Sequence, residues 1–337
     1  MRTMERRYGA ARGFVKLSCV VPLLALLILV LLPLPEMAAQ GLPPYRPINP
    51  VATSRSGVVF QPFHTPRPGR WVGDVGIEYA STIEYNVEPQ ASFFLDSELL
   101  RLRASVVRDL GPRTFLLAEA ELLGAYDGVL DGFLEWYHDL LGIEIPERDR
   151  RPRNDFLYAA DLPGRGPLLR EPEDIFLGDL RLGAGIRPHP AVQTVAAITL
   201  PTSTGPAGYG RGVASASLLN TIRLTPSPRL VFEGSLSAGY TASHGALAEW
   251  QREVFLAGSS GLRWQFWGRQ SLFGNLFLHS PYYRDTEVAA LDRRDLSFDF
   301  GWILVGTGGR ELRIGMTEDL EPGGPAVDLV FRIGGRM

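Results

Sequence analysis

The sequence contains very little cysteine and lysine. Its 337 residues include one cysteine, Cys19, and one lysine, Lys16. A single cysteine cannot form an internal disulfide, so the fold must rely on hydrogen bonds and packing. The formal net charge is −3, without the basic excess that marks nucleic-acid binders, so no nucleic-acid partner is expected. Hydrophobic residues make up 45% of the chain, which excludes a disordered protein.

Residues 1–39 have the pattern of a secretory signal peptide. Five basic residues precede the apolar stretch 17–35, and the small residues Ala38 and Ala39 follow it. We predict export and cleavage after Ala39; cleavage after Gly41, with Ala39 at the third-last position, is the alternative site. The alternative is an uncleaved membrane anchor, which the prolines inside the stretch disfavour. Cleavage removes five of the 34 basic and two of the 37 acidic residues, which leaves a net charge of −6.

Beyond the leader, no apolar run is long enough for a transmembrane helix. Apolar and polar residues instead alternate in segments of about ten residues. Successive side chains of a strand point to opposite faces, so each segment has one apolar and one polar face. The twelve predicted strands are 71–80, 98–108, 113–124, 175–187, 191–200, 213–224, 229–240, 259–268, 270–279, 294–306, 310–317 and 325–336.

Tight turns and long loops alternate between these strands, a pattern typical of up-and-down outer-membrane barrels. An even number of strands leaves both termini on the periplasmic side, and closure removes the sheet edges that a bilayer would not tolerate. We therefore predict an all-β fold, a transmembrane antiparallel barrel over residues 71–337 in the outer membrane of a Gram-negative-type bacterium. The alternative is a soluble, secreted all-β protein whose polar face meets water.

Two features of the predicted strands favour the membrane barrel. Charges of both signs lie on the polar face, as a lumen lined with cross-strand ion pairs requires. The lumen-facing candidates are Arg101, Arg103, Glu119, Glu121, Asp179, Arg181, Glu233, Arg263, Asp299, Glu311, Arg313, Asp328 and Arg332. Aromatic residues also gather near strand ends, as interfacial girdles require. These are Trp71, Tyr79, Tyr240, Trp264, Trp267, Tyr282, Tyr283 and Trp302.

The last predicted strand keeps one alternating register from Val327 to Met337. Outer-membrane barrels typically end in such a strand, which the barrel-assembly machinery recognises, so that machinery is an expected partner. Most such barrels end in Phe or Trp, whereas this chain ends in Met337.

Two segments lie outside the strand pattern. Residues 40–70 are rich in proline, and we interpret them as a linker; a segment folded into the lumen is the alternative. The long loop 125–174 has apolar residues at helical spacing, which predicts a short amphipathic helix. That helix could cap the barrel, lie at the membrane interface, or pack on neighbouring loops. The charged run 147–151 could meet lipopolysaccharide phosphates, and outer-membrane lipid is the other expected partner.

Five stretches carry a resemblance to a known family. They read LDGFLEWYHDLLG at 130–142, FLGDLRLGAG at 176–185, LPTSTG at 200–205, LHSPYYRDT at 278–286 and TEDLEPGGPAVDL at 317–329. In this order they resemble the outer-membrane family called domain of unknown function 3187. The resemblance spans most of the chain beyond the leader. It implies an outer-membrane β-barrel and no particular reaction.

The spacing of histidine and serine does not favour an enzyme. Outer-membrane lipid hydrolases place a histidine and a serine two residues apart on one strand, so that both face the same way. Here the pairs Ser243-His244 and His279-Ser280 are adjacent, and adjacent strand residues face opposite sides. We therefore expect no catalytic residues.

No cluster in the sequence has metal-ligand spacing, so no metal and no cofactor are expected. Loop acids at 317–319, with Asp285 and Asp292, offer oxygen ligands to calcium, but such acids more often only hydrate a loop.

Three functional hypotheses follow. The first is a channel that passes or binds a small solute, with charged lumen residues setting selectivity and loops 125–174 and 280–293 gating the mouth. The second is a lipid-acting hydrolase with His279 or His244 as the base. The third is a structural or surface-interaction barrel whose lumen is closed by side chains. Twelve strands lie between filled eight-stranded barrels and open porins, so size does not choose among them.

Overall fold

The computed structural model of the protein describes residues 41–66, 69–142, 152–165, 167–321 and 328–337. Three short α-helices lie in these ranges: α1 (Pro50–Arg55), α2 (Asp131–Leu141) and α3 (Ala289–Asp292). The strands are β1 (Trp71–Val87), β2 (Ser92–Asp109), β3 (Thr114–Tyr126), β4 (Leu157–Asp161), β5 (Leu168–Arg170), β6 (Glu173–Leu177), β7 (Leu180–His189), β8 (Val192–Leu200), β9 (Ser215–Ser227), β10 (Leu230–Thr241), β11 (Val254–Trp267), β12 (Gln270–His279), β13 (Asp295–Val305), β14 (Glu311–Asp319) and β15 (Leu329–Arg336). No helix of these ranges is long and apolar enough to cross a membrane.

Twelve of the strands form a closed antiparallel barrel, which confirms the predicted fold class. Each of the twelve pairs with its neighbours along the chain, and β1 closes the ring by pairing with β15, with Ile77 opposite Ile333. The predicted segments correspond one to one with these strands, although β1 runs to Val87 and β11 begins at Val254. The short strands β4 to β6 extend the sheet beside β2 and β3 at the long-loop end.

The alternation in the sequence sets which side chains face the lumen. In β10, Glu233 and Ser237 are buried, whereas Phe232 and Leu236 are exposed, Leu236 to 73%. The same exposed apolar pattern recurs around the barrel, at Val106, Leu116, Ile198, Ile222, Leu256, Leu276 and Ile314 among others. A continuous apolar belt of this kind is stable only against lipid, because water would penalise so large a patch.

Most of the predicted girdle aromatics lie on the outer face. Trp71, Tyr240, Trp264 and Trp267 are exposed there, and Tyr79 and Trp302 are half-buried. The prediction was wrong for Tyr282 and Tyr283, which are buried in the loop between β12 and β13. They pack in a cluster with Phe93, Phe255 and Leu291, because a loop that folds inward over the barrel mouth needs an apolar core of its own.

The interpretation of residues 40–70 as a linker was wrong for 41–64, which fill the lumen. Leu42, Tyr45, Val51 and Val59 of this segment are all nearly inaccessible to solvent. We call residues 41–64 the plug. Burying its apolar side chains inside the barrel outweighs the cost of ordering a proline-rich chain, whose unfolded state is already restricted.

The plug is a hairpin that enters and leaves at the periplasmic end, defined as the end with the tight turns. Leu42 packs against Phe273 and Ile303 near that end. The chain then rises to α1, which packs under the long loops, and returns along β8 and β9 through Val59. The backbone of Gly57 passes so close to β10 that a Cβ at Gly239 would lie 2.5 Å from the Gly57 carbonyl oxygen.

Helix α2 confirms the short helix predicted in loop 125–174, and it packs on the barrel wall. Phe133 packs edge-on against Phe331 of β15, with ring centroids 5.6 Å apart. Tyr137 donates a hydrogen bond to Glu318 of β14 at 2.9 Å. Val129, Phe133, Trp136 and Leu140 are exposed along the helix and the residues before it. These positions place an apolar surface beside the lipid-facing belt, as a helix at the membrane interface requires.

Candidate functional site: the plugged lumen and its extracellular cavity

Charged wall residues form an ion-pair network that we call the lumen network. Twelve of the thirteen predicted lumen residues lie in the lumen with buried or nearly buried side chains and a carboxylate or guanidinium partner within 4 Å. They are Arg101, Arg103, Glu119, Glu121, Asp179, Arg181, Glu233, Arg263, Asp299, Glu311, Arg313 and Arg332. Asp299 lies 3.1 Å from Arg332 and also accepts a hydrogen bond from Thr317. Burial of so many charges is tolerable only because nearly all are paired.

Asp328 is placed differently from the other twelve. It precedes β15 at the extracellular rim, and its backbone N–H donates to the carbonyl oxygen of Ser81. Its carboxylate lies 3.8 Å from Nε2 of His138 in α2. Asp328 therefore contributes to the surface on which α2 packs rather than to the lumen network.

Glu119 in β3 is the centre of the lumen network. Its carboxylate accepts from Arg46 of the plug at 2.5 Å and from Arg181 at 3.1 Å, and Arg103 lies 3.7 Å away. Arg46 also reaches Glu121 at 3.1 Å. The wall carboxylates thus bind the one charged side chain on the rising half of the plug, which couples the plug to the barrel.

Wall arginines also bind the plug through its backbone. Arg101 donates to the carbonyl oxygens of Arg46 and Pro47 at 2.6 and 2.8 Å, while Glu78 balances its charge. Arg263 likewise reaches the carbonyl oxygen of Gly41 at 3.2 Å and is ion-paired with Glu311 at 2.6 Å. Prolines have no N–H to donate, so acceptor contacts of this kind suit a proline-rich segment.

Near the periplasmic end, the descending half of the plug is held by His64. Its Nε2 lies 3.0 Å from Oδ2 of Asp109, and the same carboxylate accepts from Arg187 at 2.8 Å. The backbone N–H of His64 donates to Gln193 at 2.8 Å. This group closes the lower part of the hairpin against β2, β7 and β8.

Near the extracellular end, Ser56 of the plug contacts His279 of β12. Ser56 Oγ lies 3.1 Å from His279 Nε2, and His279 Nδ1 lies 2.5 Å from the carbonyl oxygen of Ser280. A carbonyl oxygen only accepts, so Nδ1 carries the hydrogen and Nε2 accepts from the serine hydroxyl. This pair is 223 residues apart in sequence, which is why spacing on one strand could not reveal it. In the loop after β10, the backbone N–H groups of Ser243 and His244 instead donate to the side chains of Glu253 and Gln251.

A cavity of about 160 Å³ lies above the plug, and we call it the extracellular cavity. Its floor is α1, through Val51, Ser54 and Arg55, and its walls come from the long loops. The aromatic residues Phe93, Tyr158 and Tyr283 line it together with Arg170, Arg211 and His244. Two smaller cavities of about 30 Å³ each lie deeper beside the plug, each large enough for about one water.

The glycine-rich stretch 205–212 forms one wall of this cavity. Gly208 has a φ of +100°, and a Cβ there would lie 2.9 Å from Nε of Arg170. The backbone conformation therefore favours glycine, and the side chain of Arg170 occupies the space beside it.

The tyrosines of the extracellular cavity remain neutral at physiological pH. Burial raises the pKa of Tyr158, with a smaller contribution from Tyr283 and Tyr209 nearby. Burial also raises the pKa of Tyr283, although Arg55 acts in the opposite direction. The tyrosines therefore add no negative charge to a lining that contains Arg55, Arg170 and Arg211.

Among the described residues, no group of three or more histidine, cysteine, aspartate or glutamate side chains could hold a metal ion. Other predicted features lie outside the described residues. These are the leader with Cys19, the charged run 147–151 and residues 322–327 of the last family-like stretch.

No family model and no curated protein matches the sequence. The fold is similar to that of the COG4313 outer membrane channel from Pseudomonas putida F1, with a TM-score of 0.50 and 15% identity over 81% of this chain and 96% of that chain. The NanC porin is also similar, with a TM-score of 0.43 and 9% identity over 78% of this chain and 98% of that chain. The CymD monoaromatic hydrocarbon channel has a TM-score of 0.41 and 10% identity over 86% of this chain and 97% of that chain. The first of these likenesses supports an outer-membrane barrel fold for this chain.

Proposed function

We propose that the protein is an outer-membrane channel for a small solute, closed by residues 41–64 in the state described. One observation carries the proposal: residues 41–64, a hairpin that is not part of the barrel wall, occupy a charged lumen. A permanently closed barrel can be filled by the side chains of its own wall. Here the filling is a separate segment held by hydrogen bonds and ion pairs, and such contacts exchange with water when the segment moves.

The gate in this proposal is the plug rather than the loops alone. The loops 125–174 and 280–293 contribute Tyr158, Tyr283 and Leu291 to the extracellular cavity above α1. A solute that enters from outside would occupy this cavity first. Movement of the plug would then expose the lumen network, whose paired charges of both signs would set the selectivity of the path.

Deletion of residues 42–64 tests this function. In planar bilayers we expect the full chain to conduct little and the deletion variant to form stable channels, because the main filling of the lumen is gone. Folding of both proteins is checked by heat-dependent migration in SDS gels. A deletion variant that is folded but does not conduct would overturn the proposal.

A reversible lock provides a matched control. A Cβ at Gly57 would lie 2.6 Å from Thr241 Oγ1, so cysteines at these two positions are within disulfide reach after a small shift. The double variant Gly57→Cys/Thr241→Cys should stay closed when oxidised and should recover any gating of the full chain in dithiothreitol. The two single variants should show no dependence on reductant.

Lipid hydrolysis is a second candidate function, favoured only by the contact between Ser56 and His279. A serine hydroxyl and an oriented imidazole are the parts of a nucleophile and base pair. Both side chains are buried, however, so a lipid ester could reach them only after the plug has moved. Release of fatty acid from labelled outer-membrane lipid by the full chain, abolished in Ser56→Ala, would support this function; no release would remove it.

We further propose membership in the domain of unknown function 3187 family, supported by the five stretches in their order. We also propose export with removal of residues 1–39. Amino-terminal sequencing of the protein from an outer-membrane fraction tests both the compartment and the cleavage site. A start at Gln40 is expected, and recovery of the uncleaved chain from the inner membrane would contradict the proposal.

A further inference from the structure

The guanidinium of Arg55 in α1 lacks a balancing anion in the extracellular cavity. Arg55 is only 2% exposed. It donates to the carbonyl oxygens of Thr241, Ala242 and Arg252 at 3.2, 3.1 and 2.8 Å, and its Nε has no hydrogen-bond partner. No carboxylate within the described ranges lies within ion-pair distance of it; the acid that acts on its charge from farther away is Glu253, which is exposed to solvent outside the cavity lining. A buried cation without an anion is costly, so the arrangement needs a reason.

Arg170 adds a second positive charge to the same cavity. Its only hydrogen bond among described residues is to the carbonyl oxygen of Leu169 at 3.4 Å, so it too lacks an ion pair there. Arg211, the third arginine of the lining, differs, because Asp179 balances it at 3.1 Å. The cavity therefore combines two arginines that lack a carboxylate with one that has its own.

The remaining walls of the cavity are apolar or aromatic. Phe93, Tyr158 and Leu291 pack within or beside the apolar cluster beneath the loops. A volume of about 160 Å³ is close to that of cavities that take up a benzene-sized molecule, which are roughly 150 Å³. A lipid is too large for this space, and an inorganic anion would leave the apolar walls without contacts.

We propose that the extracellular cavity binds a small monocarboxylate with one ring, or a branched aliphatic body of similar size. The carboxylate accepts from Arg55, whose planar guanidinium can donate two parallel hydrogen bonds, and Arg170 adds electrostatic attraction. The body of the ligand packs against Phe93 and Tyr158. Selectivity then depends on the charge, because the neutral analogue leaves Arg55 unbalanced.

Binding at Arg55 also bears on opening, and in this respect the inference rests on the proposed channel function. The same guanidinium fastens α1 to carbonyl oxygens at the ends of β10 and β11. A carboxylate competes with those carbonyl oxygens for its N–H groups, and it binds more strongly because it is charged. The ligand would thus loosen the extracellular attachment of the plug.

Benzoate is the probe and benzyl alcohol its neutral control, measured by calorimetry on the purified full chain in detergent. We expect benzoate to bind about tenfold or more tightly than benzyl alcohol, and Arg55→Met to lose that preference. Arg165→Met is the matched control, because Arg165 lies exposed beside Glu249 on the loops and should leave binding unchanged. Equal binding of the two probes, or full benzoate binding by Arg55→Met, would overturn the inference.

Two further readouts keep the result interpretable. If Arg55→Met does not fold, Arg170→Met is measured instead, and a severalfold loss of benzoate affinity is expected; an unchanged affinity counts against the site. Benzoate is then added to the full chain in planar bilayers, where more frequent openings are expected. If the full chain binds benzoate but the plug deletion variant does not conduct, the channel function is contradicted and the binding site stands. If the deletion variant conducts but the full chain does not bind benzoate, only the binding site is contradicted.

Discussion

The middle of the lumen and its extracellular cavity both place arginine in a buried position, but they balance its charge differently. In the middle, Glu119 faces Arg46, Arg103 and Arg181, and each of these arginines lies within 4 Å of a carboxylate. In the cavity, Arg55 donates hydrogen bonds only to carbonyl oxygens, and no described carboxylate lies within 4 Å of it. The chain itself therefore balances the charges in the middle of the lumen, whereas the proposed carboxylate ligand would balance the charge in the cavity.

The largest effect is expected from Glu119→Gln. This change keeps the size of the side chain but removes the negative charge that three arginines share. Arg181 would lose its only carboxylate partner within 4 Å among the described residues, and an unbalanced buried charge costs about 3 kcal/mol or more. We expect the free energy of unfolding, measured by tryptophan fluorescence in urea with lipid vesicles, to fall by about that amount.

A second change separates charge balance from packing. Glu119→Gln/Arg181→Met removes the charge that the first substitution leaves unbalanced, so it should recover roughly half of the lost stability. Glu249→Gln, at a half-exposed acid of the extracellular loops whose partner is the half-exposed Arg165, is the matched control and should leave the unfolding midpoint nearly unchanged. An equal loss from both glutamate variants would mean that the lumen network is no different from the surface.

A smaller effect is expected from Ser56→Ala at the extracellular end of the plug. The change removes one neutral hydrogen bond to His279, and such a bond contributes about 1 kcal/mol. Because Nε2 of His279 would stay buried without its donor, we expect the plug to detach more often. Single-channel recordings should show more openings than the full chain shows. Unchanged gating would mean that this contact does not hold the plug.

The sequence predicts the barrel wall well and the contents of the lumen poorly. Alternation along each strand depends on neighbouring residues, so the twelve strands and the burial of residues such as Arg101 and Glu311 could be predicted. The position of the plug depends on contacts between residues far apart, such as Leu42 with Glu233, 191 residues away. No local pattern records such a contact, and a proline-rich segment has the same composition inside a barrel as in a linker.

The aromatic residues show the same limit. Trp264 and Tyr240 lie at the outer face because their strands cross a membrane boundary, and strand position alone predicts this. Tyr282 and Tyr283 follow directly after β12, so their position in the sequence is equally suitable for a girdle. They are buried because their loop folds over α1, a tertiary arrangement. Arg55 could not be singled out either, because its charge matters only through the absence of a nearby carboxylate.

A small effect of either sign is expected from Arg55→Met. The change removes three hydrogen bonds to carbonyl oxygens, which lowers stability. It also removes a buried charge that no described carboxylate balances, which raises stability, so the two effects largely cancel. Without ligand, the free energy of unfolding should change by less than about 1 kcal/mol. A loss as large as that of Glu119→Gln would mean that Arg55 is already balanced, and the contrast between the two regions would fail.

The smallest effect is expected from Arg165→Met at the extracellular loops. Arg165 lies 3.3 Å from Glu249, but both side chains are about half exposed, so water and salt screen their attraction. Urea unfolding should shift by no more than about 0.5 kcal/mol, and raising the salt concentration should reduce even that shift. Replacing one partner of an arginine–glutamate pair would then lower the free energy of unfolding by anything from almost nothing to about 3 kcal/mol, and the burial of the pair would set the size of the loss. A large loss from Arg165→Met would instead make the extracellular loops, rather than the lumen network, the part of the molecule on which stability depends.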